Sequence, residues 1–253
     1  MLKLIKYEYR KEMGTYLVLF SALLVAEIYF LFGFAAGSNT NIAIATFAFV
    51  FGGVCGILAL MLLGAISYSK EINSKYSYMT FMTPNSPYKI VGAKYISLFI
   101  ATAVASILYV GFVCLDSYLI LKKYDDIRSF SQMVKSAASM FGWDMDTYFS
   151  MFVAMLISMW IRFFFTVSCA YLAITLSTTI LANKKGKGVL SVVFFFVITF
   201  IVSRITAILP KLETGTTMGA EILNNIWIYA FQILMIIGSY LFVSFMLKKK
   251  ISL

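Results

Sequence analysis

The sequence predicts an all-α, polytopic integral membrane protein with about six transmembrane helices and an N-terminal amphipathic interfacial helix. Three observations carry this expectation. Hydrophobic residues make up 61% of the 253 positions and charged residues only 13%, against roughly 45–50% and 25% in a soluble domain. The mean hydropathy is +0.90. The apolar residues also gather in runs of about 18 or more, long enough to cross hydrocarbon as helices. Lipid offers no partners to backbone N–H and C=O groups, and no barrel-like alternation is visible, so each run is expected to be helical. The 24 Phe and 16 Tyr suit lipid-facing surface and interfacial belts.

The elements follow in order. In Met1–Met13, Leu2, Ile5, Tyr9 and Met13 share one helical face, while Lys3, Lys6 and Arg10 turn to another. Residues 1–14 therefore read as an amphipathic lead-in to the first span, too charged for the apolar core of a signal peptide. Spans are expected at Tyr16–Ala36, Ile42–Tyr68 and Tyr95–Ile120. The long apolar region Tyr148–Ala182 is interrupted by Arg162. Ile161–Ala182 is read as its crossing part, and the preceding piece as a helical extension or an outer interfacial segment. Two short spans are the alternative there. Val189–Leu209 and Ile222–Leu247 complete the set.

The connections are unequal. Gly37–Asn41 reads as a tight outer hairpin, Ser69–Lys94 (69–94) as a long polar cytoplasmic loop, and 121–147 as a larger outer segment of mixed charge. No internal repeat is apparent. Residues 1–253 are expected to form a single membrane domain.

Charge placement sets the expected orientation. With the N-terminus inside and six spans, 14 of the 21 basic residues lie on the inner side: Lys3, Lys6, Arg10, Lys11, Lys70, Lys75, Lys89, Lys94, Lys184, Lys185, Lys187 and Lys248 to Lys250. Only Lys122, Lys123, Arg128, Lys135 and Lys211 lie outside. The positive-inside bias thus favours the cell membrane with both termini cytoplasmic. It also accounts for the net charge of +10 without nucleic acid as a partner.

Enzyme chemistry is not expected. There is no histidine, and Cys55, Cys114 and Cys169 sit inside apolar runs without CxxC spacing. A zinc site or a Ser/His or Cys/His pair is therefore excluded. The string Lys184-Lys185-Gly186-Lys187-Gly188 lacks the spaced glycine and the Mg²⁺-binding hydroxyl of a P-loop. Neither HExxH nor GxSxG occurs. Glu27 and Asp116 are the only acids within spans, and neither sits in an intramembrane protease motif.

The cytoplasmic loop is the most informative stretch. It reads Ser69-Lys70-Glu71-Ile72, then Tyr78-Met79-Thr80-Phe81-Met82-Thr83-Pro84-Asn85-Ser86, then Gly92-Ala93-Lys94-Tyr95. This resembles the permease subunits of ABC-2 type transporters, mainly bacterial exporters. In those, an acidic–basic patch leaves the second span, a helix leads to a Pro-x-Ser turn, and a Gly-x-Lys opens the third span. Glu71 matches the acidic position, Pro84 and Ser86 the turn, and Lys94 the lysine. The family usually places a basic residue directly after the serine; this chain has Pro87 there and Lys89 two further on. The lead-in helix, six spans and a short connection like Ser177–Gly188 also agree.

The resemblance implies a transport subunit without its own ATPase site. Glu71, Lys75, Tyr78, Met79, Pro84, Ser86 and Lys94 would form a coupling element seated on a separate ABC ATPase subunit. Two ATPase copies, holding ATP and Mg, would drive this chain together with a second permease, identical or related, in the lipid bilayer. The chain itself would bind no cofactor. On the residues alone, Ser86 suits an N-cap and Pro87 the first helical position, so the third helix should begin near Pro87.

Ionisable groups inside spans need a partner or a water-filled path. Asp116 is expected to pair with Arg162 or Arg204, and Glu27 to face the permease interior; snorkelling or a purely structural pairing is the alternative. Two other function classes fit the composition. An ion-coupled secondary transporter would want discontinuous helices and mid-membrane polar clusters. A non-transporting membrane scaffold or immunity protein would look the same.

Overall fold

The computed structural model describes residues 2–73, 86–123, 145–180, 186–210 and 224–251. Among them there are six helices and no strand: α1 (Leu2–Ala35), α2 (Asn39–Asn73), α3 (Pro87–Lys123), α4 (Met145–Ile180), α5 (Lys187–Ile208) and α6 (Ile226–Ile251). All six are long and apolar enough to cross a membrane. The protein is all-α and multi-pass. The longest helices exceed what hydrocarbon requires. At about 1.5 Å per residue, the 34 residues of α1 extend about 50 Å, against a core of about 30 Å. The amphipathic lead-in is therefore the first turns of α1, continuous with the span. Likewise Tyr148–Ala182 is not two short spans: α4 is unbroken from Met145 to Ile180.

Large apolar side chains such as Phe47, Phe51, Phe196 and Leu234 are exposed. In α5 only 6% of the apolar window is fully buried, and Val192, Phe196 and Phe200 are exposed. Helices in lipid gain little from apolar burial itself and associate by close packing and hydrogen bonds.

The chain divides into two compact units, one of Met1–Ser67 with Gly92–Arg128 and the other of Tyr68–Val91 with Ser129–Leu253. The boundaries fall inside α2 and α3.

The first unit holds α1, most of α2 and most of α3. Its α1–α2 turn is fixed by local chemistry. Gly37 has φ +69, a left-handed value that glycine adopts without a Cβ penalty. The Gly37 N–H then donates to the Phe34 carbonyl at 3.2 Å and the Ser38 N–H to Gly33 at 3.3 Å, which closes a Schellman motif. Ser38 then caps α2, its hydroxyl accepting from the Asn41 N–H at 3.4 Å. Beside the turn, Phe30, Ile42 and Ala45 are buried, with Phe34, Leu119 and Ile120 packed on them. Deeper along α2, the Phe49 ring stacks on Tyr109 at 4.9 Å. Gly53 admits that tyrosine, since a Cβ at position 53 would lie 2.7 Å from its ring.

The second unit is organised on α4, whose densest contacts are with α5 and α6. The C-terminal half of α4 is buried at Val167, Ser168, Cys169, Tyr171, Ala173 and Thr175. Small side chains there let neighbouring backbones approach closely. Ser177 Oγ donates to the Lys187 carbonyl at 2.6 Å, which braces the start of α5 against the end of α4.

Candidate coupling residues and buried charges

The predicted coupling residues fall partly within view. Lys75, Tyr78, Met79 and Pro84 lie outside the described residues, as does 124–144 of the outer segment. Glu71 is on the last described turns of α2 and is buried at 6% exposure. Ser86 stands at the head of α3, where its carbonyl accepts from the N–H groups of Lys89 at 2.9 Å and Ile90 at 3.3 Å. With Pro87 as the first helical residue, this is the start that the N-cap chemistry predicts.

Lys94 lies two turns into α3 and is buried. Its Nζ donates to Glu8 Oε2 on α1 at 2.9 Å. One turn on, Tyr9 Oη donates to the Ser97 carbonyl, also at 2.9 Å. Sequence reasoning gives Glu8 no role. Its role depends on α1 meeting α3, a long-range contact no local pattern announces.

The four intramembrane charges divide between the units. Glu27 of α1 and Asp116 of α3 come together, their carboxyl groups within hydrogen-bonding reach. Both are more than nine-tenths buried. Among the described residues no donor reaches either oxygen of Glu27 or Oδ1 of Asp116. Two carboxylates bring only acceptors, so a bond between them forms only when one carries a proton. Within the first unit the neighbour of Asp116 is thus Glu27; the arginines expected as its partners, Arg162 and Arg204, belong to the second unit. Arg162 is exposed on α4, and Arg204 is exposed on α5 with its guanidinium 5.1 Å from the Phe200 ring of its own helix. A long arginine can carry its charge along an apolar surface.

These contacts share a register. Glu8–Lys94, Tyr9–Ser97 and Glu27–Asp116 are 86, 88 and 89 positions apart. A near-constant offset over 19 positions of α1 means that α1 and α3 run parallel, side by side. The ion pair stands at the end that precedes the spans, and the carboxyl pair about 28 Å further along at 1.5 Å per residue.

The second unit carries polar contacts that sequence reasoning missed. The Tyr68 and Tyr171 rings stack at 4.2 Å, and the Tyr68 and Thr175 hydroxyls lie 2.6 Å apart. The Thr175 hydroxyl proton goes to the Tyr171 carbonyl at 2.8 Å, so Tyr68 is the donor to Thr175. Tyr240 Oη of α6 donates to the Tyr88 carbonyl at 2.9 Å, at the first turn of α3. Searches against family models, curated proteins and solved structures return no match to this chain.

Proposed function

We propose that the chain is the membrane-spanning permease subunit of an ABC-2 type exporter, set in the cell membrane with both termini cytoplasmic. In this reading residues 1–253 form one permease domain. It works with two copies of a separate ATPase subunit, which hold ATP and Mg, and with a second permease, identical or related. Substrate crosses by alternating access between the two permeases, and this chain performs no catalysis.

The observation that carries the reading is the buried Glu8–Lys94 pair. Lys94 is the lysine of the loop motif, and Glu8 belongs to the amphipathic lead-in. A push delivered to the loop between α2 and α3 would therefore reach the start of α1 through an ion pair as well as through the chain. A buried pair of this kind is held to one geometry by the cost of separating its charges, which suits a rigid transmitting joint. The basic residues at the start of α1 and the end of α6 support the orientation.

Co-purification is the test. The tagged chain, extracted in mild detergent from the cells that make it, should bring down a separately encoded ATPase. ATP turnover of that complex should fall when Glu71→Gln or Lys94→Met is introduced. Transport by the isolated chain down an ion gradient, with no ATPase present, would establish the secondary-transporter reading instead. Cysteine labelling of Lys89→Cys from outside intact cells would overturn the orientation.

A further inference from the structure

We propose that a groove between α1 and α3 binds one anionic phospholipid, its headgroup on Lys6 and Arg10 and an acyl chain along the apolar floor. The groove has a volume of about 400 Å³. Its α1 wall is a single helical stripe that begins with Lys6 and Arg10 and continues through Leu17 to Phe20; Ile100 and Val104 of α3 form the facing wall.

The chemistry changes along the groove. Lys6 and Arg10 sit one turn apart, both exposed. The acids near them on α1 do not neutralise them. Glu8 is held by Lys94, and Glu12 lies two positions past Arg10, about 200° round the helix at 100° per residue. Tyr9 is also occupied, its hydroxyl donating to Ser97. Among the described residues, two cations are thus left without an acid partner at the mouth. Below Arg10 the stripe carries no charge as far as Phe20, a rise of about 15 Å. That equals one leaflet of a core about 30 Å thick. A phosphate head over an acyl tail has this same order of charge and this same depth. A soluble anion would use the cations and leave the apolar floor without an occupant. The inference rests on the membrane reading alone and holds whether or not an ATPase drives the chain.

Native mass spectrometry of the detergent-purified, delipidated full chain tests it, with phosphatidylglycerol and phosphatidylcholine as probes. Wild type should take up one phosphatidylglycerol about thirtyfold more tightly than phosphatidylcholine, the preference expected of two basic side chains at an anionic headgroup. Lys6→Gln/Arg10→Gln should lose that preference, and Lys11→Gln should keep it. Val104→Trp, which fills the floor, should weaken both lipids. Equal affinity of wild type for the two lipids overturns the proposal. So does a preference that persists in Lys6→Gln/Arg10→Gln, or one that 0.5 M salt (about 4 Å of screening length) leaves unchanged. A lipid-free dimer as the sole species would assign the groove to a second copy and also overturn it. Should the double variant fail to fold, the wild-type comparison of the two lipids and its salt dependence decide the matter.

Discussion

Lys94 of α3 and Glu8 of α1 form a buried ion pair 2.9 Å long, made between residues 86 positions apart. Both charges have left water, so removing one strands the other. Lys94→Met or Glu8→Gln should each cost about 3–5 kcal/mol, the range for breaking a buried pair from one side. The double variant should cost less than the sum, with a coupling of about 1–3 kcal/mol. Thermal unfolding in detergent measures all three. Unchanged melting in both single variants would mean that the pair contributes nothing to the joint between α1 and α3.

Features decided within a few residues were legible in the sequence. The start of α3 at Pro87 follows from Ser86 as a cap and proline at the first helical position. The six spans follow from apolar run length. Helix ends were less legible, because α1 and α4 continue past the apolar runs that mark them, from Leu2 and Met145. The lead-in of α1 shows in the sequence only as an amphipathic face, and the start of α4 at Met145 precedes its apolar run by three residues. The pairings were not legible. That Asp116 meets Glu27 depends on α1 lying beside α3, a product of packing within the first unit.

Glu27 and Asp116 present only acceptors to each other, and both are buried. A glutamine at 27 keeps the shape and supplies an N–H donor toward Asp116. Glu27→Gln should therefore match or exceed wild-type stability, by about 1 kcal/mol, the typical net worth of one hydrogen bond. Marked destabilisation by Glu27→Gln would contradict the pairing.

Gly53 is required by its neighbour. Any Cβ at this position would lie 2.7 Å from the Tyr109 ring, and the stack on Phe49 at 4.9 Å limits how far that ring can retreat. Gly53→Ala should lose about 1–3 kcal/mol through overpacking, although alanine is the better helix former by about 1 kcal/mol. Trimming the ring with Tyr109→Leu should make Gly53→Ala far less costly. An additive double variant would show that the two residues do not touch.

Tyr68 and Tyr171 separate two contributions that often travel together. Their rings stack at 4.2 Å, while the Tyr68 hydroxyl donates to Thr175, itself only 2% exposed. Tyr68→Phe removes the hydrogen bond and keeps the stack. Its cost should be about 0.6 kcal/mol and no more than about 1.7, the span found for hydrogen bonds between membrane helices. Tyr68→Ala removes both and opens a void against Tyr171, so it should cost about 3–5 kcal/mol. Thr175 retains its bond to the Tyr171 carbonyl in either variant, so the difference between them isolates ring packing. If Tyr68→Phe were as damaging as Tyr68→Ala, the hydroxyl rather than the stacked ring would hold the end of α2 to α4.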